Sequence, residues 1–110
     1  MSKEIKDLQK RAVEIRKYYE EFEKRNWGSK WSNIEIAMGM IGDASDAAKL
    51  VAMKEGRRPI KVDDVDEALK HELSDVMWSV FVIANNYDID LEREFLLAMD
   101  GLEERTKGNK

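Results

Sequence analysis

The 110-residue sequence predicts a single all-α domain, a four-helix bundle completed by oligomerisation. Charged residues make up 38% of the chain and Pro59 is its one proline, a composition typical of long, solvated helices. Hydrophobic residues make up 43%, which is enough for one core at this length. Apolar positions recur at spacings of three and four, and they predict helices at about 3–25, 33–54, 64–87 and 91–106.

Composition also argues against several classes of function. The net charge is −4 and no basic stripe is present, so we expect no nucleic-acid binding. The chain has no cysteine, which excludes disulfides, thiol nucleophiles and Cys-ligated zinc. The longest apolar run is about half a membrane span and the first residues lack a signal-peptide core, so we expect a cytoplasmic protein without membrane contacts.

The first predicted helix is amphipathic, with charged faces around one apolar stripe. This stripe, which we expect to turn inward, consists of Ile5, Leu8, Ala12, Ile15, Tyr19 and Phe22. A short connection follows, from Asn26 to Trp31, and it holds two of the three tryptophans. Trp27 and Trp31 either plug the core or stack on a ligand ring.

The second helix has a clear start signal and a crowded interior. Ser32 and Glu35 form an S-x-x-E pattern, in which each residue satisfies a free backbone N–H at the helix start. Gly39 and Gly42 each cost about 1 kcal/mol relative to alanine in a helix interior. We therefore expect another backbone or a ligand to approach the helix closely at these glycines.

Polar side chains in and after the second helix are possible ligands. Asp43 and Asp46 are three residues apart, so they lie about 60° apart around the helix axis. Lys49 is either an ion-pair partner of Asp46 or a phosphate contact. The segment 55–62 contains Arg57 and Arg58, and it is either a solvated connection or a mobile arm that contacts phosphate oxygens.

The third helix holds a second acidic pair, Glu72 and Asp75, which also lie about 60° apart. Residues 76–84 that follow are apolar except at Ser79, so this helix is buried on nearly all sides. The two acids therefore lie at the rim of a core, where they need a cationic partner or a metal ion. His71 projects about 100° away from Glu72, and it is either a surface residue or a group that transfers protons or contacts substrate.

Asp63 and Asp64 predict the start of the third helix through N-capping, and Asp90 predicts the start of the fourth. Asn86 lies within about 40° of the Glu72 direction around the third helix, so we expect it to contact substrate. The fourth helix is expected to turn its apolar residues inward, namely Leu91, Phe95, Ala98 and Leu102.

The third helix is apolar in more directions than three neighbouring helices cover. Some apolar surface would therefore stay in contact with water in a single chain. Burying several hundred Å² of it in a symmetric pair contributes on the order of 10 kcal/mol before association costs. The sequence thus predicts an obligate homo-oligomer.

Two acidic pairs on consecutive helices would face each other across a helical hairpin. Four carboxylates in a poorly hydrated groove repel and raise one another's pKa unless divalent ions lie among them. Oxygen ligands favour Mg²⁺ or Mn²⁺, and Mg²⁺ commonly completes its octahedron with water and substrate phosphates. The predicted site is therefore a nucleotide site with metal ligands at Asp43, Asp46, Glu72 and Asp75.

Two stretches, GMIGDASDAAKLVAMKEG at 39–56 and HELSDVMWSVFVIANNYDIDLEREF at 71–95, resemble the MazG-like family of all-α nucleoside triphosphate pyrophosphohydrolases. The resemblance covers about Trp31–Glu104. It implies a MazG-like bundle that binds Mg²⁺ and cleaves a (deoxy)nucleoside triphosphate to the monophosphate and pyrophosphate. It also implies a homodimer or homotetramer with active sites near the subunit contacts.

Family members have E-x-x-E on one helix and E-x-x-D on the next. Glu72 and Asp75 match the second motif, and the resemblance implies that they are catalytic. The first motif differs, because its two acids fall either on Met40 and Asp43 or on Asp43 and Asp46. Since Met40 replaces a family glutamate in the first alignment, the alternative function is a non-catalytic helical module for nucleotide binding or assembly.

Overall fold

The computed structural model describes residues 4–108, which form four α-helices: α1 Ile5–Trp27, α2 Asn33–Lys54, α3 Val65–Asn86 and α4 Leu91–Gly108. This part of the chain contains no β-strand, so the predicted all-α class is confirmed. Each helix boundary lies within two residues of its predicted position, and the predicted start at residue 3 lies outside the described residues. No helix in residues 4–108 is long and apolar enough to cross a bilayer.

Local hydrogen bonds define the helix ends. The Glu35 carboxylate accepts a bond from the Ser32 backbone N–H at 2.9 Å, as the S-x-x-E pattern predicts. Asp64 and Asp90 each accept a bond at 3.1 Å from the backbone N–H three residues ahead, so Asp64, one of the two predicted candidates, caps α3 and Asp90 caps α4. Gly28 ends α1 with a φ of 82°, a left-handed conformation that favours glycine.

Helices α2 and α3 form an antiparallel hairpin, the most extensive helix pair in the fold. Asn86 Nδ2 donates to Asn33 Oδ1 at 2.7 Å at one end of the hairpin. Lys54 forms an ion pair with Asp66 at the other end. These two contacts fix the register, which brings the middle of α2 opposite the middle of α3.

Helix α1 packs on α3, where Trp78 Nε1 donates to the Ala12 carbonyl at 3.1 Å. The second half of α1 is rotated relative to the prediction. Tyr19 and Phe22, expected to turn inward, are 53% and 44% exposed, whereas two charged residues of the same helix are buried. The apolar core between the helices consists of Ala12, Ile36, Ala47, Leu50, Phe81, Val82 and Ala84.

Helix α4 packs little against the other helices of the chain. Of its predicted inward stripe, Leu91 is half-buried but Phe95, Ala98 and Leu102 are exposed, so this prediction is wrong for the single chain. The chain enters α4 through Asp88, whose φ is 55°, and α4 then leaves the hairpin. The radius of gyration is 17.1 Å, against about 13 Å for a compact domain of this length.

Candidate metal centre

The structure brings the two predicted acidic pairs together across the α2–α3 hairpin. The hairpin register places Asp43 and Asp46 of α2 opposite Glu72 and Asp75 of α3. Asp46 and Asp75 lie close enough for their charges to act on the titration of Asp43 and Glu72. We refer to Asp43, Asp46, Glu72 and Asp75 as the acidic centre.

Two members of the acidic centre lose protons less readily than ordinary carboxyls. Burial, followed by the charges of Asp75 and Asp46, raises the pKa of Asp43. Burial also raises the pKa of Glu72, and the charges of Asp43, Asp46 and Asp75 raise it further. Four negative charges are therefore unfavourable here without a cation.

Two carboxylates of this centre, Glu72 and Asp75, are placed together with His71 so that a divalent cation fits between them. Glu72 Oε2 is buried and has no hydrogen-bond partner within residues 4–108, and such an oxygen is costly unless a donor or a cation lies against it. Ligand atoms of His71, Glu72 and Asp75 lie within 4.8 Å of one another. Carboxylate oxygens suit Mg²⁺ and Mn²⁺, whereas an imidazole nitrogen is a more usual ligand of transition metals such as Zn²⁺ and Fe²⁺.

His71 contacts the acidic centre, although it projects away from Glu72 around the helix axis. Its side chain is 72% exposed, yet His71 Nε2 lies 3.1 Å from Asp75 Oδ2. The spacing of four residues between His71 and Asp75 is the signal that indicates this contact, because residues i and i+4 are neighbours on a helix surface.

The two carboxylates that α2 contributes to the acidic centre differ in exposure. Asp43 is half-buried, whereas the Asp46 side chain is 59% exposed and its Oδ1 lies 3.9 Å from Lys49 Nζ. Lys49 thus makes the ion pair that was one of its two predicted roles. Met40, which takes the place of the first acid in one alignment with the MazG-like motif, is half-buried and has no oxygen to offer a cation.

A cavity of about 460 Å³ lies between α1 and the hairpin and connects the acidic centre to aromatic side chains. Asp43 and Asp75 line it together with Ile15, Arg16, Tyr19, Phe22, Glu23, Trp27, Trp31 and Trp78. The rings of Trp27 and Trp31 stack with centroids 6.4 Å apart and are 59% and 41% exposed. Neither tryptophan is therefore a buried plug in this chain, and we refer to this space as the aromatic cavity.

Among the predicted substrate contacts, Trp31 lines the aromatic cavity but Asn86 does not. Asn86 binds Asn33 at the end of the hairpin, about 16 Å along α3 from Asp75. The structure therefore does not bring Asn86 to the aromatic cavity, since the rotation around a helix gives no distance along it.

Arg57 and Arg58 also lie apart from the acidic centre. Both are exposed in the connection after Lys54, which is about 12 Å along α2 from Asp46. Arg57 Nε lies 3.4 Å from Glu55 Oε2. In this conformation the segment is the solvated connection that was one of its two predicted forms.

Two charged residues that line the aromatic cavity, Arg16 and Glu23, were not predicted from the sequence. Burial opposes ionisation of Glu23, but bonds from Arg16 and the Trp31 backbone, together with the Arg16 charge, hold the pKa of Glu23 below its usual range. Arg16 and Glu23 are seven residues apart and lie on the same face of α1 as Ala12, and this spacing is a signal for a buried pair.

Fold and site together define an all-α protein whose acidic centre opens into an aromatic cavity. Comparison of the chain with family models, curated proteins and solved structures gives no match. The MazG-like resemblance therefore remains a prediction from the two acidic motifs.

Proposed function

We propose that this chain is a Mg²⁺-dependent pyrophosphohydrolase that cleaves a (deoxy)nucleoside triphosphate to the monophosphate and pyrophosphate. The supporting observation is that Asp43 and Asp75 line the same cavity as Trp27 and Trp31. Aromatic faces suit a stacked nucleobase, and carboxylates suit a cation that binds phosphates. A ligand with a flat ring at one end and a polyphosphate at the other matches both parts of the cavity.

The carboxylates have distinct proposed roles. Asp43, Glu72 and Asp75 hold Mg²⁺ or Mn²⁺, with Asp46 at the solvent edge of the same set. When bound there, the cation neutralises charge on the phosphoryl oxygens and orients the phosphates. Glu72 and Asp75 orient the attacking water and accept its proton as the bond between the α- and β-phosphates breaks. His71 orients Asp75 through their 3.1 Å contact.

Substrate contacts follow from the distances in the structure. Trp31 provides the proposed stacking face for the base. Lys49, paired with Asp46 at the edge of the acidic centre, is the proposed phosphate contact. Arg57, Arg58 and Asn86 are left out of the proposed site because they lie more than one helical turn away from it.

Pyrophosphate release from a panel of ribo- and deoxyribonucleoside triphosphates tests this function. We expect turnover of at least one substrate with Mg²⁺ or Mn²⁺ and none with a chelator. Asp75→Asn should lower kcat by about a hundredfold or more, since metal binding and water orientation both use this carboxylate. The matched control is Asp63→Asn, an exposed aspartate in the α2–α3 connection, which should retain wild-type activity.

Two outcomes contradict the proposal: no pyrophosphate from any nucleotide, or full activity in Asp75→Asn. Nucleotide binding without turnover would instead favour the non-catalytic module, for which Met40 is the supporting feature. Dialysis with a radiolabelled nucleotide distinguishes that case from a chain that binds no nucleotide at all.

We also propose that the chain functions as a homodimer or homotetramer. A groove of about 500 Å³ beside α4 is lined almost entirely by apolar side chains, namely Ile5, Met77, Val80, Phe81, Leu91, Phe95 and Leu96, with Glu92. Phe95 and Leu96 are 58% and 56% exposed. A second copy of this chain would bury these side chains and supply α4 with packing partners. Sedimentation at micromolar concentration should give an assembly larger than the 12.8 kDa monomer.

A further inference from the structure

Arg16 and Glu23 form a buried ion pair on a helix whose other charged residues are mostly solvated. Their exposures are 4% and 3%, and two bonds join them, from Arg16 Nη1 to Glu23 Oε2 at 2.7 Å and from Nη2 to Oε1 at 3.0 Å. Desolvating two charges costs several kcal/mol per ion, so such a pair contributes little net stability compared with apolar residues of the same size. This cost suggests that the pair has a role besides stabilising the fold.

The pair holds the main chain of Trp31 on both sides. The Trp31 N–H donates to Glu23 Oε1 at 2.7 Å, and the Trp31 carbonyl accepts a bond from Arg16 Nη2 at 3.0 Å. Trp31 lies in the connection between α1 and α2, where no helical hydrogen bond fixes it. Its main-chain position is therefore set by two charged side chains of α1.

The Trp31 ring is also constrained where it meets its neighbours. Its Cζ3 lies 4.0 Å from the point where a side chain at Gly39 would begin, an ordinary van der Waals distance, so the ring packs beside α2 at this glycine. The ring also stacks on the Trp27 ring. The ring is still 41% exposed and lines the aromatic cavity, so part of it remains free for a ligand.

We infer that Arg16 and Glu23 are positioning residues that hold Trp31 as a preformed wall of a binding site for a flat heteroaromatic ring. A wall fixed before binding loses less conformational entropy when the ligand stacks on it, so the pair increases affinity for the ring. Identification of the ring as a nucleobase rests on the proposed function. The pair bonds the Trp31 main chain and is no part of the acidic centre, so it should affect KM and leave kcat nearly unchanged.

Nucleoside titration without metal tests this inference separately from hydrolysis. Uridine, cytidine, adenosine and guanosine are added to ¹⁵N-labelled protein while the indole N–H signals of the three tryptophans are followed by NMR. At least one nucleoside should shift the Trp31 signal, and Glu23→Gln should weaken its binding about tenfold or more. The matched control is Glu20→Gln, which changes the same residue type one turn earlier and should bind like the wild type.

Glu20 is a suitable control because it makes no hydrogen bond to Trp31 within residues 4–108. Its Oε2 atom lies 3.8 Å from Arg16 Nε and 3.7 Å from Lys30 Nζ. The inference is overturned if no nucleoside shifts the Trp31 signal, or if folded Glu23→Gln binds as tightly as Glu20→Gln. A hydrolase whose KM is unchanged by Glu23→Gln would overturn it and leave the proposed function intact.

A second measurement applies even if Glu23→Gln does not fold. The Trp31 amide of the wild type should exchange with solvent about as slowly as amides inside α1, because Glu23 binds it. Trp31→Ala keeps the main-chain bonds and should lose nucleoside binding, whereas Trp31→Phe keeps a flat ring and should retain most of it. Fast exchange at Trp31, or nucleoside binding that survives Trp31→Ala, overturns the inference.

Discussion

Replacing Asp75 by asparagine should make the metal-free protein more stable. The nearest oxygens of Asp75 and Glu72 lie within 4.8 Å. Two unit charges at that distance repel by about 1 kcal/mol in water and about 3.5 kcal/mol at an effective dielectric constant of 20. The Asp75 side chain is 43% exposed, so we take about 1–2 kcal/mol, near the lower limit. Losing the exposed contact with His71 removes up to about 1 kcal/mol of this gain.

The expected net gain is about 1 kcal/mol, or a rise of about 4 °C in Tm, at pH 8. The gain should depend on pH in a defined direction. The pKa values of Asp43 and Glu72 in the folded state are raised above their ordinary values of 3.8 and 4.5. The free energy of unfolding that these two groups contribute is therefore fully present below their ordinary values, and it is lost as the pH rises through the raised values. Asp75→Asn lessens the repulsion that appears at high pH, so its advantage should shrink towards pH 4.

Thermal melts followed by circular dichroism, at one protein concentration, measure this effect at pH 4 and pH 8 with a chelator present. Adding Mg²⁺ at pH 8 should raise the Tm of the wild type more than that of Asp75→Asn, because the variant lacks one proposed ligand. A lower Tm than wild type for Asp75→Asn at pH 8, or an equal difference at both pH values, would refute the electrostatic reasoning.

Three further predictions concern the other parts of the structure. Asp43→Asn should abolish the Mg²⁺-induced rise in Tm, whereas Asp46→Asn should retain most of that rise because the Asp46 side chain is largely exposed. Equal losses in the two variants would favour Asp43 and Asp46 as the ligand pair. Gly42→Ala should raise the free energy of unfolding, measured with urea, by about 0.5–1 kcal/mol, since no atom lies within 4 Å of the added methyl group. A destabilised Gly42→Ala would indicate that another backbone packs there. Phe95→Asp should convert the assembly to a monomer in sedimentation while helix content is unchanged, and an intact assembly would count against the α4 groove as the interface.

Local sequence patterns predicted the helix boundaries well because helix starts depend on neighbouring residues. Ser32 with Glu35, Asp64 and Asp90 all make the capping bonds that their positions predict. The convergence of the acidic pairs was also predictable, because the connection at 55–64 is long enough to let α2 and α3 pack antiparallel.

The sequence did not predict which face of α1 would be buried in its second half. Tyr19 and Phe22 fit an apolar stripe, but the fold buries Arg16 and Glu23, whose hydrogen bonds offset their burial. Apolar periodicity cannot detect such a pair, because it scores charged residues as solvent-facing. The partners are also distant in sequence, since Trp31 lies in the next connection.

The open position of α4 was likewise beyond the reach of sequence patterns. A periodic apolar stripe indicates that a helix needs a partner, but it does not say whether that partner is in the same chain. In this structure Phe95 and Leu102 remain exposed, because α4 leaves the hairpin after Asp88. Asn86 shows a related limit, because an angle around an axis gives no distance along it.

The contacts at the two ends of the α2–α3 hairpin make the site tolerant of length changes in one segment and intolerant in another. Lengthening the connection at 55–64 costs only about 0.6 kcal/mol per doubling, and the register held by Asn33–Asn86 and Lys54–Asp66 is unaffected. One residue inserted between Asn33 and Asp43 would turn one part of α2 by about 100° relative to the other. The insertion would separate Asp43 from Glu72 or break the contact with Asn86. Natural variants of this chain should therefore differ in length at the connection and keep the spacing within both helices.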